Sequence, residues 1–401
     1  MKKDKPIWKR NLFVLSIAVF IAGIAFSEVM PFLPLYIKTL GKFSKQQLNF
    51  WSGLVFSGTY FVSAIVSPWW GKLADKKGRK LMILRASIGM AIVMAAMGLV
   101  QNVWELFGLR MLQGVFSGYV SNSNALVATE TPKEKSGQAL GTMASSFTAG
   151  TLLGPFVGGA LASIFSYRIT FFITGGLLTL IFFLSLFFVL EDDFKPIEDK
   201  NLESTKGVIN ALRSPTLIFG LLLTTLIIQA ANNSINPIVS LYVAQLMHNH
   251  GNIVFISGVI AALPGIATFL VASRFGAWGD RIGTHKIIVG GFIAATIFFF
   301  LTAFVQNTVQ LGILRFLVGF SDACLIPQVQ TLLTKNSPAQ VTGRIFSWNQ
   351  SAMYIGNIVG PLLGSTVAGL SSYSMVFLVT AGIVLLNLIL FQLNVIHNLN
   401  R

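Results

Sequence analysis

The sequence predicts an all-α polytopic membrane protein of twelve spans arranged as two related six-helix halves. Three observations predict it. The chain is 54% hydrophobic and only 11% charged, apolar segments of about twenty residues recur along its whole length, and landmarks of the first half return in the second at a constant offset. A helix needs roughly 20 apolar residues to cross a hydrocarbon core about 30 Å thick. Unpaired backbone groups are too costly in lipid for anything but helices or a closed barrel, and these segments are too long and too uniformly apolar for barrel strands.

Twelve segments meet the requirement, at about 12 to 34, 50 to 70, 81 to 100, 105 to 128, 138 to 164, 169 to 190, 215 to 240, 253 to 275, 287 to 305, 309 to 334, 344 to 370 and 374 to 395. The net charge of +15 would suit an acidic partner such as nucleic acid, but its distribution points elsewhere. With the N-terminus inside, only Lys38, Lys42, Lys45 and Arg168 fall outside, with Arg110 and Arg315 among the arginines embedded in spans. The other cations gather on one side, which places both termini in the cytoplasm. The opening "KKDKPIWKR" and its apolar run resemble a signal peptide, but no small-residue cleavage site is evident and the run is long enough to remain as the first span. Cys324 is the single cysteine, so no internal disulfide is possible, and its place in a span reads as core.

Taken in order, the first segment holds Glu28 in "AFSEVMPFLP", where Pro31 and Pro34 weaken the helix near its outer end. The second ends in "GKLADKKGRK", six charges in ten residues between apolar runs. The fourth contains "LRMLQG" with Arg110, and Gln113, Ser117, Ser121 and Asn124 follow at spacings of three and four, a polar stripe suited to a cavity wall. The fifth carries "GTLLGPFVGG", in which Gly150, Gly154 and Gly158 recur every four residues beside Pro155 and Gly159, a spacing that lets two helices approach closely. After the sixth comes the longest polar stretch, Glu191 to Pro215, with six of the fourteen acids. It reads as a cytoplasmic linker, partly an interfacial helix. The expected domains are therefore 1–190, a linker at 191–214, and 215–401.

The second half repeats the first. Gly71, Asp75 and Gly78 return as Gly276, Asp280 and Gly283, and Arg110 and Gly114 as Arg315 and Gly319, each 205 residues later. Gly154 and Pro155 match Gly360 and Pro361, and Pro31 and Tyr36 match Pro237 and Tyr242, each at 206. A parallel repeat of six-span halves is a transporter architecture with its site near the midplane.

"GKLADKKGRK" resembles the loop signature of the major facilitator superfamily, "LRMLQG" its fourth-helix signature, and "GTLLGPFVGG" the fifth-helix signature of its twelve-helix drug:proton antiporters. The resemblance covers essentially the whole chain; its wording is similar to that of bacterial multidrug efflux proteins of Gram-positive species. It implies that Asp75 meets a helix N-terminus and an arginine to latch the halves on the cytoplasmic side, with Gly71, Gly78 and Arg79 in the same gate. A carboxylate at a helix N-terminus gains about 0.3 to 2 kcal/mol. Lys76, Lys77 and Lys80 are read as a solvated surface. Arg79 has no counterpart, Thr284 standing in its place, so the first-half latch is expected to dominate. The resemblance also implies a part in proton coupling for Arg110; the plain alternative is a buried packing anchor.

Only two of the fourteen acids, Glu28 and Asp322, fall well inside spans. A charge at a helix centre costs about 2.5 to 3.5 kcal/mol, so such residues face protein or water and commonly serve ions, protons or ligands. Both are candidate proton carriers. Asp322 follows Arg315 by two helical turns, and the alternative is that the two form a structural pair. For the substrate, Gln113, Asn124, Phe147, Asn232, Asn236, Trp348 and Gln350 are candidates, with Gln229, Asn233, Asn349 and Tyr354 beside them. Apolar walls with a few adaptable polar groups suit capture of lipophilic ligands.

No phosphate-binding loop, metal-spaced His or Cys cluster, or nucleophile motif is present, so no enzyme and no cofactor is expected and the energy source is an ion gradient rather than ATP, which the antiporter resemblance implies is the proton gradient. The expectation is a plasma-membrane exporter of amphipathic drugs working by drug:proton antiport, with protons, small lipophilic substrates and membrane lipid as its partners, no nucleic acid, and a monomeric state. Two alternatives remain: a carrier of one physiological solute such as a sugar or lipid precursor, and a non-transporting receptor or scaffold.

Overall fold

The computed structural model describes residues 6–191, 209, 212, 214–338 and 341–396, and within them the secondary structure is entirely helical. Most of the expected linker, and with it the interfacial helix expected there, lies outside the described residues. Two compact units are present, one formed by Met1–Gly41 and Gly58–Glu198, the other by Lys42–Ser57 and Asp199–Arg401.

The first unit contains α1 (Ile7–Ser27), α2 (Leu33–Thr39), most of α3 (Lys45–Lys77), α4 (Arg79–Met97), α5 (Val103–Val115), α6 (Tyr119–Glu130), α7 (Lys133–Ile164) and α8 (Tyr167–Phe188). The second contains α9 (Pro215–Asn233), α10 (Val239–Leu246), α11 (Ile253–Ile282), α12 (Thr284–Thr302), α13 (Thr308–Lys335), α14 (Thr342–Leu370) and α15 (Tyr373–Leu390), which continues as a π-helix over Phe391–Ile396. The start of α3 belongs to the second unit because its backbone docks there. Ser57 Oγ donates to the Ile358 carbonyl at 2.8 Å, Lys45 Nζ to that of Ser371 at 3.0 Å, and a Cβ on Gly53 would overlap Ser365.

Among the described residues eleven helices are long and apolar enough to cross a membrane. The expected span at 105 to 128 is not one helix: α5 and α6 are separated at Phe116–Gly118. Gly118 adopts φ +103°, a left-handed conformation that costs other residues about 1 to 2 kcal/mol. The carbonyls freed at the break find donors. Arg85 donates to Val115 at 3.0 Å and Ser117 at 2.6 Å, Trp70 Nε1 donates to Val115 at 2.8 Å, and the Arg85 guanidinium lies 3.8 Å from the centre of the Trp70 ring. The polar stripe expected from Gln113 to Asn124 is therefore interrupted: Gln113 is on α5, Ser117 in the break, and Ser121 and Asn124 on α6.

The repeat extends to local structure. The first span breaks between Ser27 and Leu33 and the seventh between Asn233 and Val239, each around the proline read from the sequence. Asn102 caps α5 by accepting from the Glu105 amide at 3.0 Å, and Asn307 caps α13 by accepting from that of Gln310 at 2.9 Å. α1 packs on α7 and α4 on α8, as α9 packs on α14 and α12 on α15. Large apolar side chains cover the outside, Phe13 being 69% and Ile164 70% exposed, as a lipid-facing surface requires.

Candidate functional site

Glu28 follows the last residue of α1 and is fully buried. Its surroundings come from glycines. A Cβ on Gly154 would meet Ser27 and the Glu28 amide, and one on Gly158 would overlap the Glu28 carbonyl, so the fifth-span glycines let the α7 backbone lie directly against this turn. Gly150 does the same at Phe20, while Phe147 meets Phe26 edge-on at 6.4 Å between ring centres. Both carboxyl oxygens of Glu28 are buried without a hydrogen-bond partner among the described residues. A carboxyl so placed is neutral when it holds a proton and costly when it does not.

In the second unit Gly356, Gly360 and Gly364 bring α14 equally close to Leu226, Ala230 and Ser234. Ser234 thus stands where the first unit has Glu28, and it shares a 3.0 Å hydrogen bond with Thr380. The glycine scaffold is common to both halves; the acid is not.

Asp322 is half-buried on α13, and Asn232 Nδ2 donates to its Oδ1 at 2.8 Å. Asp322 and Arg315 form no ion pair among the described residues, although two turns of one helix separate them. Arg315 is buried, with its Nε and Nη1 unmatched among the described residues. Beside Asp322 on α9, Asn233 Nδ2 donates to Asn357 Oδ1 at 2.9 Å and Asn236 Nδ2 to Asn233 Oδ1 at 2.9 Å. Gln229 and Asn349 line a small cleft among α9, α13 and α14, with Thr225, Gln330 and Met353. Trp348 stacks on Phe219 at 6.0 Å, and Gln350 is exposed.

Arg110 is buried on α5, donating from Nη1 to Gln113 Oε1 at 2.7 Å, while Thr59 Oγ1 donates to its carbonyl at 2.8 Å. The Gln113 Oε1 acceptor is thus engaged by the arginine. Asn124 Oδ1 is buried without a partner among the described residues.

The charged loop between α3 and α4 turns at Gly78, whose φ is +96°. Asp75 and Arg79 form an ion pair across it, and Arg79 Nη1 approaches Asn122 Oδ1 at 3.5 Å. The helix N-terminus here is capped from elsewhere: the Arg79 and Lys80 amides donate to the two carboxyl oxygens of Glu191 at 2.6 and 2.9 Å. In the second unit Gly283 has φ +107° and Asp280 pairs at 3.1 Å with Lys335, which supplies the cation missing at Thr284. Gly71 and Gly276 have open space where a Cβ would stand.

Sequence reasoning missed Glu191, Asn122, Asn357, Arg85 and Lys335. Glu191 carried a signal as the first acid after the sixth span, but it was assigned to the linker. Lys335 is 55 residues from Asp280, and only packing joins them.

A fold of two repeated helical units, with single acids set into glycine-packed and asparagine-lined interiors, defines a membrane transporter. The chain belongs to the major facilitator superfamily, whose model matches residues 15–275 and 221–396. It is 51% identical over 387 residues to the multidrug resistance protein MdtG of Escherichia coli, covering 96% of this chain and 95% of that one. Among solved structures, the nucleoside transporter NupG superposes with a TM-score of 0.77 at 14% identity, over 95% of this chain and 98% of that one. A bacterial homologue of the human lysosomal transporter Spinster, inward-facing and occupied, superposes with a TM-score of 0.78 at 14% identity, over 98% and 97%. These two likenesses establish the fold. Identity over nearly the full length to MdtG supports multidrug efflux.

Proposed function

We propose that this protein exports lipophilic and amphipathic drugs across the plasma membrane in exchange for protons, by rocking the halves 1–190 and 215–401 about the linker at 191–214. One observation carries the coupling: the Glu28 carboxyl is buried with neither oxygen hydrogen-bonded among the described residues, in a scaffold whose second half has a serine in its place. A proton entering from outside neutralises Glu28, Asp322 or both, and release to the inside returns the charge that resets the cycle. Arg110 and Arg315, both buried within spans, hold fixed positive charge and modulate that exchange. Each proton moved inward gains about 2.3 kcal/mol per 100 mV of membrane potential, enough for roughly fifty-fold accumulation of a neutral drug.

The loop of Gly71, Asp75, Gly78 and Arg79, with its second-half counterpart Gly276, Asp280 and Gly283, serves as the cytoplasmic gate. Gly150, Gly154, Pro155, Gly158 and Gly159 form the rigid rail on which Glu28 rides. Substrate is met by Asn124, Phe147, Asn232, Asn236 and Trp348, with Gln229 and Asn349 added by the cleft they line. Both termini are cytoplasmic and the monomer is the working unit; the fuel is the proton gradient, without a catalytic residue.

Dye efflux from cells expressing the protein, measured with and without a protonophore, tests this reading. Efflux that stops on uncoupling supports it; efflux that continues unchanged, or no efflux of any of a panel of unrelated cationic and neutral dyes, overturns it.

A further inference from the structure

At one end of the first unit a crevice of about 450 Å³ opens between the start of α1 and the start of α7, lined by Trp8, Lys9, Phe13, Lys135, Gln138 and Thr142. Two ammonium groups converge on one ring there, Lys9 Nζ 5.5 Å and Lys135 Nζ 5.8 Å from the centre of Trp8. Among the described residues neither lysine takes part in an ion pair. Along α1, Lys9, Phe13 and Ile17 follow at intervals of four on one exposed face, Phe13 69% and Ile17 42% exposed. The sequence of chemistry down that face is cation, apolar ring, then aliphatic hydrocarbon, which is the outline of a phospholipid seen from its headgroup to its chains.

We infer that this crevice binds an anionic phospholipid of the cytoplasmic leaflet, its phosphate between Lys9 and Lys135 and its first acyl chain along Phe13 and Ile17. A soluble phosphate would satisfy the lysines but leave Phe13 and Ile17 unused, which is why a lipid is the occupant chosen. Basic pockets between spans on the cytoplasmic side are suited to such headgroups. The inference rests on the chain being embedded in a membrane and not on drug export, so either can fail alone.

The test is native mass spectrometry of the purified full-length protein with phosphatidylglycerol or phosphatidylcholine added. The variant Lys9→Gln/Lys135→Gln is expected to retain phosphatidylglycerol about thirtyfold less, the scale that two cations beside an anionic lipid contribute, with phosphatidylcholine unchanged. Lys9→Arg/Lys135→Arg is expected to bind as the wild type. Equal phosphatidylglycerol retention in the glutamine variant overturns the site. Displacement by millimolar inorganic phosphate reassigns it to a free anion and overturns the lipid. An independent reading uses vesicles containing brominated lipid and the fluorescence lost on Trp8→Phe. Brominated phosphatidylglycerol should quench the Trp8 contribution more than brominated phosphatidylcholine does, and equal quenching contradicts the proposal.

Discussion

Asn232 donates to the Asp322 carboxylate at 2.8 Å, tying α9 to α13 at the acid the second unit holds within a span. Hydrogen bonds of this kind between membrane helices average about 0.6 kcal/mol and reach about 1.7. Asn232→Leu should therefore lower stability within that range, read as a drop in the midpoint of thermal unfolding in detergent. Asn236→Ala, which removes a donor only from Asn233, should leave the Asp322 environment intact and lower gradient-driven drug extrusion less.

Gly158 and Gly364 occupy equivalent positions, one against the Glu28 carbonyl and the other against that of Ser234. Alanine at either forces an extra methyl into a close backbone contact, an overpacking that costs about 1 to 3 kcal/mol. Thermal unfolding should show similar losses for both. Proton-driven transport, normalised to folded protein, should fall further for Gly158→Ala, because only that rail abuts an acid; equal losses would reduce the motif to packing.

At the charged loop, Gly78→Ala should destabilise the protein by about 1 to 2 kcal/mol, since φ +96° is strained for alanine and the new methyl meets the Glu191 carboxylate. Gly71→Ala, with nothing near its Cβ, should stay within about 0.5 kcal/mol. Transport measured on the folded Gly71→Ala protein then isolates a gate role: reduced flux at unchanged stability supports one, and unchanged flux removes Gly71 from the gate.

The spans were legible because the bilayer demands length and apolarity before anything else, and the repeat was legible because Gly, Asp, Arg and Pro mark special backbone or buried charge. The break at Phe116–Gly118 was not read, although Gly118 itself was the signal; reading "LRMLQGVFSGYV" as one helix turned an interruption into a stripe. Side-chain partners across elements escaped for a different reason. Nothing in the spacing of Glu191 and Arg79, or of Asp280 and Lys335, says that they meet, because tertiary packing alone brings residues 112 and 55 positions apart together. Glu28 and Asp322 were found because an acid inside a span is expensive wherever it packs.

The most direct measurement is drug uptake into everted or reconstituted vesicles under an imposed pH gradient, for wild type, Glu28→Gln, Asp322→Asn and the double variant. Substituting the proton carrier should abolish gradient-driven accumulation while leaving drug binding to the purified protein within a few-fold of wild type, and the double variant should show no coupled transport. Undiminished accumulation in both single variants and in the double would contradict carboxyl-mediated coupling.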